Sequence, residues 1–342
     1  PSGDERLRQL EALHQSGDRD ASLAYGQELL RRGEIVPPTT VSDVFSQQRQ
    51  LGLAAIPALE TALANDGRWE VRQEAAWALG VIGDTIAIPA LETALANDED
   101  WHVRHGAAMA LGRIGDPIAI PALGTALAND EVWQVRQEAA WALGLIGDTI
   151  AIPALETALA NDEDWHVRHG AAEALGEIGD PIAIPALEAA LANDEDWHVR
   201  HGAAMALGWI GDPIAIPALG TALANDEVWQ VRHGAAEALG EIGDPIAIPA
   251  LETALANDED WHVRSWVAHA LGIIGDPIAI PALETALADE DWHVRQWAAH
   301  ALGRISDPVA IPALETALAN DEDWHVRQWA AEAIEKIKCN LI

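Results

Sequence analysis

DEDWHVRHGAAEALGEIGDPIAIPALE, residues 162–188, decides how the chain is read. A Trp, two His, an Arg and several carboxylates crowd its first half, as they would in a catalytic site. Almost the same words, however, are spelled throughout the chain. Trp stands at 69, 101, 133, 165, 197, 229, 261, 292 and 324, always 32 residues apart except for one step of 31 where ALANDEDW shortens to ALADEDW. The tetrapeptide IPAL keeps the same rhythm from Ile56 to Ile311, which makes nine units. Self-similarity at a period of about 20–50 residues is the mark of a stacked array.

Each unit reads as two helices, so the fold class is all-α. In the first helix Ile184, Leu187 and Leu191 fall at i, i+3 and i+7 and form one apolar stripe. Asp180 is placed to cap it and Pro181 to open it. Pro185 is tolerable only near a helix start, which moves the true start toward Ala183. The second helix follows the capping acids Asp162 or Asp164 and stops at Gly179. Val167, Ala171, Ala174, Leu175 and Ile178 form its buried face. One helix pair cannot cover its own apolar side, so neighbours must stack.

The ends depart from the repeat. Residues 1–52 read as an N-terminal helical cap: DERLRQLEALHQ and ASLAYGQELLRRG as a helix pair, then VSDVFSQQRQLG as the second helix of a half repeat. Residues 53–338 form the array and 339–342 a C-terminal tail. Lys336 and Lys338 are the only lysines, and they suit the last turn of a terminal helix.

The formal net charge is −35, from 55 acidic and 20 basic side chains. Such a chain is repelled by phosphate backbones and by anionic membrane surfaces, so nucleic acid and membrane are excluded as partners. Its natural complement is a partner with basic patches. Cys339 is the single cysteine, which rules out an internal disulfide. The first residues given, PSGDERLRQLEALHQ, read as polar and helical and not as a signal peptide, an upstream signal or domain being left open, and with no long apolar run a cytoplasmic location is expected.

The phrase VRxxAAxALGxIGD…AIPALExAL, with acids before it, resembles HEAT-like repeats of the phycobilisome bilin-lyase type over roughly residues 53–338. It is similar as well to artificial HEAT-like helical-repeat scaffolds. The resemblance implies a right-handed α-solenoid of nine 32-residue repeats whose second helices line the concave side. It also implies a ladder joining successive repeats, made by the constant Arg three residues after each Trp and the Asp after each Gly, as in Arg168, Asp180, Arg200 and Asp212. Fold alone does not fix function.

Internal copies separate frame from freedom. Counting from each Trp, Val at +2, Arg at +3, and Ala at +7 and +9 never change. Positions +1, +4, +5, +8 and +12 do, and +1, +5, +8 and +12 trace one helical face. Residues 90–152 and 186–248 differ at seven places, five of them on or beside that face: Arg113/Trp209, Gln137/His233, Glu138/Gly234, Trp141/Glu237 and Leu145/Glu241. Drift alone would scatter changes onto the first helices too. The face carries Trp77, Arg113, Trp141, Trp209, Trp266, His269, Trp297, His300 and Trp329, and Trp and Arg are the residues that dominate binding interfaces.

Candidate chemistry is thinner. The His-x-x-His pairs at 102/105, 166/169 and 198/201 share a helix face, but Gln and Glu replace them elsewhere, so they read as rim residues and not as metal ligands. The NDEDW acids lack the order of a calcium loop and read as helix caps. No nucleophile elbow or phosphate loop is present, and no cofactor is implied. The expected function is a non-enzymatic scaffold binding a protein or peptide on the variable face, as the recognition array of a larger system. The alternatives are a bilin-lyase-like handler of chromophores, or a designed or purely structural repeat protein.

Overall fold

The structure, a computed structural model, describes the backbone of residues 41–340 and side chains from residue 52. The expected cap helices before residue 41 lie outside the described residues. The chain divides at residue 114 into two compact units.

In the first unit the described helices are α1 (Val41–Asn65), α2 (Trp69–Ile82), α3 (Ile88–Asn97) and α4 (Trp101–Ile114). The segment VSDVFSQQRQLG does not end as a separate half-repeat helix. It runs on into the first IPALETALAN as one helix, with Pro57 inside it.

The second unit continues with the pairs α5 (Ile120–Asn129) and α6 (Trp133–Ile146), α7 (Ile152–Asn161) and α8 (Trp165–Ile178), and α9 (Ile184–Asn193) and α10 (Trp197–Ile210). Then come α11 (Ile216–Asn225) and α12 (Trp229–Ile242), α13 (Ile248–Asn257) and α14 (Trp261–Ile274), α15 (Ile280–Ala286) and α16 (Trp292–Ile305), and α17 (Ile311–Asn320) and α18 (Trp324–Cys339). No strand occurs among the described residues. The architecture is an α-solenoid of two-helix repeats.

Local chemistry sets each boundary. The Asp180 carboxylate accepts the Ile182 N–H at 2.9 Å and caps a short 3-10 turn, Pro181–Ala183. The α-helix proper then starts at Ile184, so Pro185 sits in its first turn, where no intrahelical N–H bond is lost. Asp196 caps α10 by accepting the His198 N–H at 2.9 Å. Gly211 closes the same helix at φ 73°, the left-handed conformation that glycine adopts without strain. Ser306 takes that place once, at φ 60°.

The core lies between the two helix layers. Val167, Ala171, Ala174 and Leu175 are buried together with Ile184, Leu187 and Leu191, while Ile178 is only half-buried. In the second unit, second helices touch their neighbours along much of their length and first helices touch at few points. The layer of second helices is therefore the tighter one. Gly at +11 permits this: a methyl at Gly208 would lie 2.8 Å from the Cα of Ala238 on the next second helix. The second residue of each 3-10 turn is Ile, or Val at 309, yet it is exposed, Ile182 at 66% for example, and nothing among the described residues covers it.

Candidate recognition surface

Three rows of side chains run across successive second helices. The first is an ion-pair ladder. Arg168 donates from Nε and Nη2 to the two oxygens of Asp194 at 2.8 and 2.9 Å, and from Nη1 to the Asp162 carbonyl at 2.9 Å. Arg200 does the same with Asp226 at 2.7 and 3.0 Å, and Nη1 reaches the Asp194 carbonyl at 3.0 Å. Each such Asp thus takes a guanidinium from the previous repeat on its side chain and one from its own repeat on its carbonyl. The acid expected from the sequence is therefore the wrong one. Asp180 and Asp212 are occupied as caps, bonding Ile182 and Ile214 N–H at 2.9 Å. Asp194 and Asp226 lie at the helix–helix turn that faces the preceding Arg. Clefts between successive first helices, such as that lined by Leu191, Asn193, Asp194, Arg200, Thr221 and Asp226, belong to this constant frame.

The second row is a stack of rings. His166 lies between Trp165, at 3.6 Å between ring centroids, and Trp133 of the previous repeat, at 4.1 Å. His198 is held likewise between Trp197 and Trp165, and His293 between Trp292 and Trp261. Nδ1 of His166 meets the capping carboxylate of Asp164 at 2.9 Å. The His-x-x-His pairs are thus divided between environments: the first His joins the stack, and the second, as in His169 and His201, lies against Gly202 and Gly234 of the next repeat. No group of three or more His, Cys, Asp or Glu among the described residues is arranged to hold a metal.

The third row is the variable face. In the first unit Trp77 is half-buried and Arg113 exposed. In the second unit Trp141 and Trp209 are 38% and 45% exposed. Trp266, His269, Trp297, His300 and Trp329 are half-buried and meet one another. His269 stands 4.4 Å from Trp297 and His300 4.7 Å from Trp329, both edge to face, and Trp266 lies 6.5 Å from Trp297. His233 adds an edge contact to Trp266 at 4.7 Å. Three side chains at +12 rest on the +11 glycine of the preceding repeat: Glu177 on Gly144, Trp209 on Gly176, Glu241 on Gly208.

Partial burial strains the charges of this face. It pushes the carboxyls of Glu177, Glu237 and Glu241 above their usual range, with Glu173 adding to the first and Glu241 to the second. It holds His201, His269 and His300 below the ordinary imidazole value, and His233 down to about 4.

Models of HEAT repeats match residues 56–144, 120–197, 152–240, 216–290 and 277–335. The chain belongs to the HEAT-repeat family. Among solved structures, its HEAT array is similar to Kap95p, in a complex with RanGDP, with a TM-score of 0.66 and 16% identity over 98% of this chain and 55% of that one. It is similar to the CpcE–CpcF phycocyanin lyase of Nostoc sp. PCC7120 at a TM-score of 0.41 and 25% identity, covering 73% of this chain and 94% of that one. An engineered protein covers 97% of it, and 99% of itself, at 0.43 and 25%. No curated protein sequence matches the chain. No helix among the described residues is long and apolar enough to cross a membrane.

The ring stack of these HEAT repeats was missed from sequence, although a signal for it exists. Every DW is followed by His and every VW by Gln, so the residue before the Trp and the residue after it change together. Position +1 therefore belongs to the frame, and the free face narrows to +4, +5, +8 and +12.

Proposed function

We propose that the chain is a non-enzymatic recognition array that binds a protein or peptide along the variable face of its second helices. One observation carries this reading. Two near-identical stretches, 90–152 and 186–248, keep every ladder, cap and core residue and diverge mainly at 113/209, 137/233, 138/234, 141/237 and 145/241. Selection or construction has held the frame and changed the face. One of these changes supplies Trp209, which is 45% exposed, and the same face in later repeats carries Trp266, Trp297 and Trp329 in one aromatic cluster, the composition of an interface hot spot. The solenoid offers many such rows side by side, which suits an extended partner.

The test is capture of a partner from the source cell by the wild-type chain and by the Trp209→Ala, Trp266→Ala, Trp297→Ala triple variant. The variant is expected to keep its helical circular dichroism and lose the partner. Unchanged capture would sink the reading.

A further inference from the structure

The variable face of the second unit is electrically divided. From α8 to α12 it carries Glu173, Glu177, Glu237 and Glu241 around Trp209. Glu173 has the His169 ring at 3.5 Å, but Glu177, Glu237 and Glu241 meet no cation among the described residues. From α14 to α18 the same positions carry His269, His300, Arg304 and Lys336 beside Trp266, Trp297 and Trp329. Nδ1 of His269 and of His300 is buried without a hydrogen-bond partner. Glu332 is the one acid at +5, +8 or +12 of this end, and it already accepts a bond from Gln328 at 2.8 Å. In a chain of net charge −35 with two lysines in all, the cations Arg304 and Lys336 on one side of the face stand out from the background.

Glu237 is half-buried and Glu177 and Glu241 are exposed; carboxylates gathered without counter-charge repel one another, and a guanidinium or ammonium from outside relieves that repulsion. A guanidinium also stacks well on an indole, which Trp209 presents between Glu177 and Glu241. At the other end an exposed Arg304 and Lys336 complement carboxylates. The acidic end is not a relic of the repeat, since the sister copy has Arg113, Trp141 and Leu145 where this one has Trp209, Glu237 and Glu241.

We propose that this face holds an extended peptide segment of segregated charge. Its basic side chains sit over Glu177, Glu237 and Glu241, one of them stacked on Trp209. Its acidic side chains sit at Arg304 and Lys336, with apolar or aromatic residues between them over Trp266 and Trp297. This rests on the reading above and adds the chemistry of the partner. Glu241 and Arg304 are two second helices apart, roughly 16–20 Å at ordinary helix spacing. An extended chain covers that in about five or six residues.

A phage-displayed library of random peptides, each about 16 residues to span three or more second helices, is panned on the full chain. Enriched sequences are expected to share a Lys/Arg cluster and an Asp/Glu cluster about five or six residues apart. A synthetic peptide from that pool should bind about tenfold more weakly to Glu237→Gln, Glu241→Gln and to Arg304→Gln, Lys336→Gln. The Glu→Gln changes are near-isosteric, and Arg304→Gln also gives up the Arg304 Nε bond to the Gly272 carbonyl at 3.0 Å, so each variant is first shown to keep its helical circular dichroism and its urea midpoint. Panning on Glu177→Lys, Glu237→Lys, Glu241→Lys should return peptides acidic at both ends. Enrichment of uniformly basic or uncharged peptides, no enrichment, or affinities unmoved by the Gln variants overturns the proposal. Peptides that lose binding to the Trp→Ala triple variant but not to the charge variants leave the recognition reading standing and sink this one.

Discussion

Asp180 and Asp194 are the same side chain put to different uses. Asp180 caps a 3-10 turn with one hydrogen bond, and losing such a cap costs about 1 kcal/mol. Asp194 holds the buried guanidinium of Arg168 with two, and removing one partner of a buried pair costs about 3 kcal/mol or more. Asp194→Ala is therefore expected to lower the denaturation midpoint clearly further than Asp180→Ala, and equal shifts would contradict the ladder as drawn. His233 offers a test by pH. Burial, aided by His201 and His262, holds it at about 4 against an ordinary 6.5. Between those values the unfolded chain binds the proton and the folded chain does not. The cost is absent above about pH 6.5 and grows as pH falls toward about 4. Stability relative to His233→Gln, the residue its sister copy has at 137, should fall over that window in denaturant titrations. The raised carboxyls nearby act in the opposite sense, since acid neutralises what the fold holds uncomfortably, but they are present in both proteins.

Helix contacts explain why some of this was legible in sequence and some was not. Caps, breaks and apolar stripes depend on neighbours within a few residues, so Asp164, Gly179, Pro185 and the Leu positions announced themselves. The ladder joins residues 26 apart, and several acids between them compete for the assignment; spacing alone cannot choose among Asp180, Asp194 and Asp196. The ring stack joins one repeat to the next, and the chain recorded it only as the paired exchange of DWH for VWQ. The variable face was legible from the internal copies, but its electrical division was not, because it emerges when +8 and +12 residues of several helices are set in rows. Packing at this scale is testable with two glycines. A methyl at Gly208 meets the Ala238 backbone at 2.8 Å and must push two second helices apart, so Gly208→Ala should destabilise by about 1–3 kcal/mol. At Gly220, in a first helix, the nearest atom would be the Ala250 Cβ at 3.5 Å. Gly220→Ala should be neutral or stabilise by up to about 1 kcal/mol, through helix propensity. Urea titration of both variants checks the contrast.

Across the molecule, a net charge of −35 repels itself. Screening is weak at low ionic strength, where the Debye length is about 30 Å at 0.01 M, and strong at 1 M, where it is about 3 Å. Thermal midpoints followed by circular dichroism should rise with added NaCl, and a flat or falling trend would mean the ladder and its relatives dominate the electrostatics. The ladder also bears on how such a chain can change. Where ALAND shortens to ALAD, α15 ends early at Ala286, yet Arg264 still reaches Asp289 at 2.8 Å, with the partners 25 positions apart in place of 26. The lost residue is absorbed inside the unit and the joint is preserved. The described joints within each unit have the same plug and socket, so within a unit one copy can follow another. Recombination within the gene can then reorder, add or delete copies without breaking the fold. The order of the copies, and not only their residues, becomes something evolution or an engineer can vary.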